Sequence, residues 1–170
     1  MNKKYLIILI TIFLFVLNFA CGVYSYRGNN PPEGIRSVAV PLFENSSGFS
    51  EANIRESFTE NLKNKIIEDN TFILTDKNTA DGVLKCNITN VRDEALVISG
   101  NENVTKRKLT ITVNVDFENM VKKKKVWERS FENWGEYSSS ATTFSNRENG
   151  IKDATEKICE DILNDMTSNW

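Results

Sequence analysis

Leu109-Thr110-Ile111-Thr112-Val113-Asn114-Val115-Asp116-Phe117 decides the fold. Leu109, Ile111, Val113, Val115 and Phe117 fall on one side of an extended chain. Lys108, Thr110, Thr112, Asn114 and Asp116 fall on the other. Successive side chains of a strand point to opposite faces, so this alternation specifies a sheet with one buried face and one wetted face.

The flanking residues extend that sheet. Gly100-Asn101-Glu102-Asn103 has the composition of a reversal. Before it, Leu84, Cys86 and Ile88 share a face against Lys85, Asn87 and Thr89. The alternation stumbles at Val91-Arg92-Asp93-Glu94, where a bulge between Arg92 and Glu94 is expected, and resumes through Ala95-Leu96-Val97-Ile98. After Phe117 a second reversal is expected at 119–125. Residues 126–137 then return with Trp127, Phe131 and Trp134, read as packing aromatics. Residues 35–43 read as the first strand, although Pro41 argues against full pairing there. A short strand is expected at 72–75.

Two helices complete the pattern. Ser50 reads as an N-cap, with Glu51 in the first turn and Phe49 placed to meet Ile54 as a hydrophobic staple. Ile54, Phe58, Leu62 and Ile66 then form one apolar stripe, and Asn70 suits the C-terminal stop. Ser145 and Glu148 match a capping box ahead of Ile151, Ala154, Ile158, Ile162 and Met166, with Cys159 and Leu163 widening the stripe. The expected architecture is α+β: a two-layer sandwich of two amphipathic helices on one face of a mixed, mostly antiparallel sheet of four to five strands.

Antiparallel succession puts the turns at 100–103 and 119–125 at opposite ends of the sheet. Strands of about 15 residues reach roughly 50 Å, whereas a helix of twenty covers about 30 Å. Part of the first hairpin is therefore expected to project, carrying Leu96, Val97 and Ile98. Exposed apolar residues there suggest a surface for a protein partner. The alternative is a bulge that folds them back onto the body.

The first twenty-one residues speak of location. Lys3 and Lys4 precede an apolar run from Tyr5 to Phe19 that closes on Ala20-Cys21-Gly22, the form of a secretory signal rather than a spanning helix. Its end resembles the lipobox of bacterial lipoproteins, in which the cysteine is lipidated. Ala20 and Cys21 fit that pattern, and Asn18 and Phe19 depart from it. An ordinary cleaved signal with a chance cysteine is the alternative. The expected organisation is a cleaved signal at 1–20, a lipid-anchored tether at 21–33 rich in Gly, Asn and Pro, and one domain at 34–170.

Without Lys3 and Lys4 the basic count falls from 21 to 19 against 23 acidic groups, a formal charge of −4. That balance argues against a nucleic-acid partner. The chain has no histidine. This removes the commonest general base, the usual triads and most zinc sites. No phosphate loop or paired-cysteine metal spacing occurs. No catalytic residue, metal site or cofactor is expected, and the chain does not read as an enzyme. Cys86 and Cys159 lie on apolar faces. They read either as two buried thiols or as a bridge closing a loop of about 70 residues.

Cys21-Gly22-Val23-Tyr24-Ser25-Tyr26 followed by Ile35-Arg36-Ser37-Val38-Ala39-Val40-Pro41-Leu42-Phe43-Glu44-Asn45 resembles the opening of the LPS-assembly lipoprotein (LptE) family. Asn101-Glu102-Asn103-Val104, Trp127-Glu128 and Trp134-Gly135-Glu136-Tyr137 are similar to it as well. The resemblance implies a lipoprotein at the periplasmic side of the outer membrane. It implies a partner too, the outer-membrane β-barrel of the lipopolysaccharide translocon (LptD-like), which the chain plugs and helps to assemble. Lipopolysaccharide is the implied cargo. The resemblance assigns it no contact residue here; by their own chemistry Lys106, Arg107 and Lys108 read either as glycolipid contacts or as charges that keep a hairpin edge soluble. Lys122-Lys123-Lys124-Lys125 is a second basic group; lysines at hairpin tips also keep sheet edges soluble. Rival readings are a lipoprotein that activates a cell-wall synthase, a lipid carrier with an enclosed apolar cavity, and a hydrolase with clustered carboxylates.

Overall fold

Leu109, Ile111, Val113, Val115 and Phe117 are all fully buried, on a strand flanked by partners on both sides. The computed structural model describes residues 31–51, 53–98, 104–139 and 143–168. Its elements are β1 (Ser37–Ala39), β2 (Glu44–Asn45), α1 (Ile54–Asp69), β3 (Ile73–Leu74), β4 (Gly82–Ile98), β5 (Val104–Asn119), β6 (Lys124–Ser138) and α2 (Thr143–Ser168). The strand order is β3-β1-β4-β5-β6, with β2 also pairing β4. β1 runs parallel to β3 and β4, and β2 runs parallel to β4; the long pairs β4–β5 and β5–β6 are antiparallel. The α+β reading with two helices holds, but the sheet has six strands rather than four to five.

The extra strand, β2, lies just past the segment at 35–43, which does not pair along its length. Only Ser37–Ala39 pairs before the chain leaves the ladder at Pro41, which has no N–H to give. The Phe43 N–H instead donates to Thr59 Oγ1 at 3.0 Å, and Arg55 Nε donates to the Phe43 carbonyl at 2.7 Å. Phe43 is thereby drawn under α1, where its ring stacks on Phe58 at 5.3 Å. Pairing resumes at Glu44–Asn45 against Asn87 and Ile88.

Register irregularities fall at Thr89 and around Leu96, not between Arg92 and Glu94. Residues 90–95 pair with 107–112 without a break. The bulge at Thr89, whose hydroxyl donates to the Thr112 carbonyl, adds one residue. It switches the inward-facing set from the buried Leu84, Cys86 and Ile88 to the half-buried Val91 and Asp93, keeping one face toward the core. The second turn spans 120–123, tighter than the expected 119–125.

Ile54, Phe58, Leu62 and Ile66 of α1 are buried, as the stripe predicts. The helix starts later than Ser50, however. Asn53 occupies the N-cap in a left-handed conformation, with no side-chain capping bond. Glu51 lies outside the first turn and binds Arg147 of α2 at 2.6 Å. Asn70 ends α1 in the left-handed conformation, its N–H on the Ile66 carbonyl. α2 begins at Thr143, so Ser145 is already helical rather than a cap.

Both helices contribute to one apolar core with the inward residues of β4, β5 and β6. α2 lies along β6. Arg129 pairs with Asp165, and Asn133 Nδ2 donates to Asp161 at 3.0 Å. At Gly135 the two backbones touch, for a Cβ there would collide with the Gly150 carbonyl. The opposite sheet face is polar and laced with ion pairs such as Lys85–Glu118 at 2.7 Å and Arg92–Glu132 at 3.3 Å.

Candidate functional site

The β4–β5 hairpin outruns its helical cover. Along β4 no side chain after Ile88 is fully buried among the described residues, and Leu96 is 44 % exposed. On β5 the burial begins at Leu109. Where the cover ends, three strands contribute one polar group each. Arg107 Nε donates to Asp93 Oδ1 at 2.8 Å and to Tyr137 Oη at 3.1 Å, while its Nη2 donates to the Asp93 carbonyl at 3.1 Å. Tyr137 Oη donates to Asp93 Oδ2 at 2.5 Å. The Asp93 hydrogen bond raises the Arg107 pKa, and burial followed by that same carboxylate raises Tyr137. Both groups therefore keep their protons at neutral pH, and the bracket fixes the root of the projecting tip.

The three candidate basic residues are not one patch. Arg107 points to the helix side and is held in this bracket. Lys106 and Lys108 point to the other face. Lys106 pairs loosely with Glu136 at 3.3 Å, and Lys108 Nζ lies 5.0 Å from the centre of the Trp134 ring. Lys157 of α2 approaches the same ring at 4.7 Å and donates to the Trp134 carbonyl. Trp134 is 39 % exposed, unlike Trp127, which is buried against Phe117 and Phe131. Trp134 is thus not part of the core packing that Trp127 and Phe131 make; its ring lies on the outer face between two lysines. Its even position places it opposite Trp127 and Phe131 on the strand, a signal present in the alternation itself.

The family model for lipopolysaccharide-assembly, LptE, matches residues 35–166. The chain belongs to the LptE family. No functionally curated protein matches it. Solved structures with the same fold include rare lipoprotein B from Shewanella oneidensis, at 17% identity and a TM-score of 0.50, covering 75% of this chain and 92% of that one. A minor lipoprotein from Acinetobacter baumannii matches at 15% identity and a TM-score of 0.51, covering 79% and 92%. The PelC dodecamer from Paraburkholderia phytofirmans matches at 12% identity and a TM-score of 0.56, covering 82% and 95%. At these identities the likeness establishes the fold.

Several expectations for this LptE-family chain lie outside the described residues: Cys21 with the rest of 1–30, the reversal at 100–103, and the side chains of Val97 and Ile98. Cys86 and Cys159 are free and buried. Burial drives the Cys86 thiol well up, with Cys159 adding to it, and pushes Cys159 up to about 12. The main surface depressions are open and mixed in polarity; one runs along Pro41, Leu42, Lys85 and Asn114. Among the described residues no three metal-capable side chains converge, and no helix is long and apolar enough to cross a membrane.

Proposed function

We propose that this chain is the lipoprotein subunit of an outer-membrane lipopolysaccharide translocon, anchored through Cys21 at the periplasmic side. In this reading the β4–β5 tip enters a partner β-barrel, plugs it and assists its assembly. The observation that carries the reading is the hairpin itself. It extends past the helices with Leu96 exposed, and the Asp93–Arg107–Tyr137 bracket stiffens its root. A partner meeting a stiff hairpin loses little conformational entropy on that side of the interface. The polar outer sheet face suits a wetted lumen.

Lys106 and Lys108 carry the glycolipid contact in this reading, with Trp134 beside them. Ammonium groups bind phosphate as point charges, and an aromatic ring accepts both an ammonium and an acyl or sugar surface. Arg107 contributes by holding the tip. Membership of a lipopolysaccharide-assembly family supports the cargo. Two structural relatives that are lipoproteins support the anchoring.

A photo-crosslinking residue at position 96 tests the partner, and one at position 108 tests the cargo. In living cells, position 96 should give a single product with an outer-membrane barrel, and position 108 a product that reacts as lipopolysaccharide. Crosslinks from 96 to soluble periplasmic proteins only would overturn the reading.

A further inference from the structure

The opposite end of the molecule holds a second surface. The turn between β5 and β6 presents Met120, 39 % exposed, and Val121, 67 % exposed, followed by Lys122-Lys123-Lys124-Lys125. Asn119, itself buried, builds this turn by accepting the Lys122 N–H at 2.7 Å. Lys125 is held by Asp116 at 3.0 Å and Glu128 at 2.6 Å. Lys122, Lys123 and Lys124 are exposed, and among the described residues no carboxylate lies within ion-pair distance of them. Lys77 borders the same depression as Met120 and Val121. The nearby acids are Glu118, which borders a depression with Lys123 and Lys124 and pairs with Lys85, and Asp81, which is occupied by the Arg36 and Ser37 amides.

The same contacts locate the start of the described chain. Asp81 receives Arg36 N–H at 3.0 Å and Ser37 N–H at 2.9 Å, and its carbonyl accepts the Met120 N–H at 2.8 Å. Ile35 donates to the Pro32 carbonyl and packs beside Gly82, which pairs with Asn119. The chain therefore enters the fold next to the lysine turn. Ten peptide steps separate Pro31 from Cys21. Even fully extended they span at most about 35 Å.

We infer that the 120–123 turn, with Lys124 beside it, is a membrane-docking tip, in which Met120 and Val121 enter the interface of an anionic phospholipid bilayer and Lys122, Lys123 and Lys124 bind its headgroup phosphates. Two exposed apolar side chains beside unpaired lysines match such a surface in polarity and charge. A nearby lipidated N-terminus would supply the second attachment that one signal alone lacks. The inference rests on the anchored reading above, and it adds an orientation: lysine turn on the bilayer, β4–β5 tip pointing away.

The test uses the full chain purified from membranes and reconstituted in phosphatidylethanolamine vesicles with or without phosphatidylglycerol. An environment-sensitive dye is attached at Val121→Cys, or at Leu96→Cys as the control; the buried Cys86 and Cys159 do not compete. The dye at 121 should shift to the blue and resist an aqueous quencher only with phosphatidylglycerol, while the dye at 96 stays exposed. Each lysine near an anionic surface is worth about fivefold in occupancy, so K122Q/K123Q/K124Q should cut docking on the order of a hundredfold. If the protein floats with vesicles but position 121 stays in water in both lipids, docking is wrong and the anchor stands. If it floats with neither vesicle, the anchored reading falls and the docking inference with it.

Discussion

Gly135 and Gly150 show what one missing methyl group permits. A strand and a helix meet there backbone to backbone, and a Cβ on Gly135 would overlap the Gly150 carbonyl, which is backbone rather than a flexible side chain. Gly135→Ala should lower the unfolding free energy by about 2–3 kcal/mol, read as a shift of the urea midpoint. An unchanged midpoint would mean that β6 and α2 do not touch here. Asp81 makes a pH-dependent contribution. Its carboxyl lies below the ordinary 3.8, chiefly through the Arg36 N–H, then the Ser37 hydroxyl and N–H, all of which bind the ionised form. The unfolded chain takes up this proton first as pH falls. The stabilisation is thus complete above the unfolded value and is lost as pH falls through the lower folded value. Asp81→Asn should cost about 1–2 kcal/mol at neutral pH, and the gap to the parent should narrow below about pH 4. Parallel stability curves would contradict this. Neither residue announces itself in the sequence, because each acts on a partner 15 or about 45 positions away. Trp134 was legible, for the parity that buries Trp127 and Phe131 sends it to the other face.

At the scale of elements, the legible parts were those with long, regular patterns. The alternation at 109–117 and the Ile54–Ile66 stripe both lie where the periodicity puts them, because burial on one face enforces register and phase. The misread parts were ends and short strands. Residues 35–43 alternate like a strand, but Thr59 and Arg55 offered Phe43 better hydrogen bonds than β4 did. Ser50 has the chemistry of a cap, yet Glu51 was taken by Arg147 and the helix began at Ile54. The hairpin root gives an element-level prediction. Arg107→Met removes three hydrogen bonds and leaves the Asp93 carboxylate, 23% exposed, without its cation. Global stability should fall by about 1–2 kcal/mol. Amide exchange should quicken chiefly between 93 and 107, beyond the helices, while β5 near Val113 keeps its protection. Uniform quickening along β5 would show that the bracket supports the whole sheet rather than the tip.

On the scale of the whole molecule, a two-layer body separates two dissimilar ends. One carries a braced hairpin with Leu96, Lys106 and Lys108; the other carries the chain entry, Asp81 and the lysine turn. The strands between them run 15 to 17 residues, roughly 50 Å. That separation suits a subunit that bridges a bilayer surface and a barrel. The sequence conveyed the two ends through simple antiparallel succession. The alternation of β5 also conveyed that Lys108 faces away from the buried set; it did not convey the phase of β4 beyond Thr89, where a bulge resets it. The most direct measurement is affinity isolation of the native chain from membranes, with mass analysis of its mature N-terminal peptide and of its companions. The account predicts a diacylglyceryl-modified Cys21 peptide and stoichiometric recovery of a lipopolysaccharide-transport barrel. An unmodified N-terminus on a chain that purifies without any barrel would contradict it.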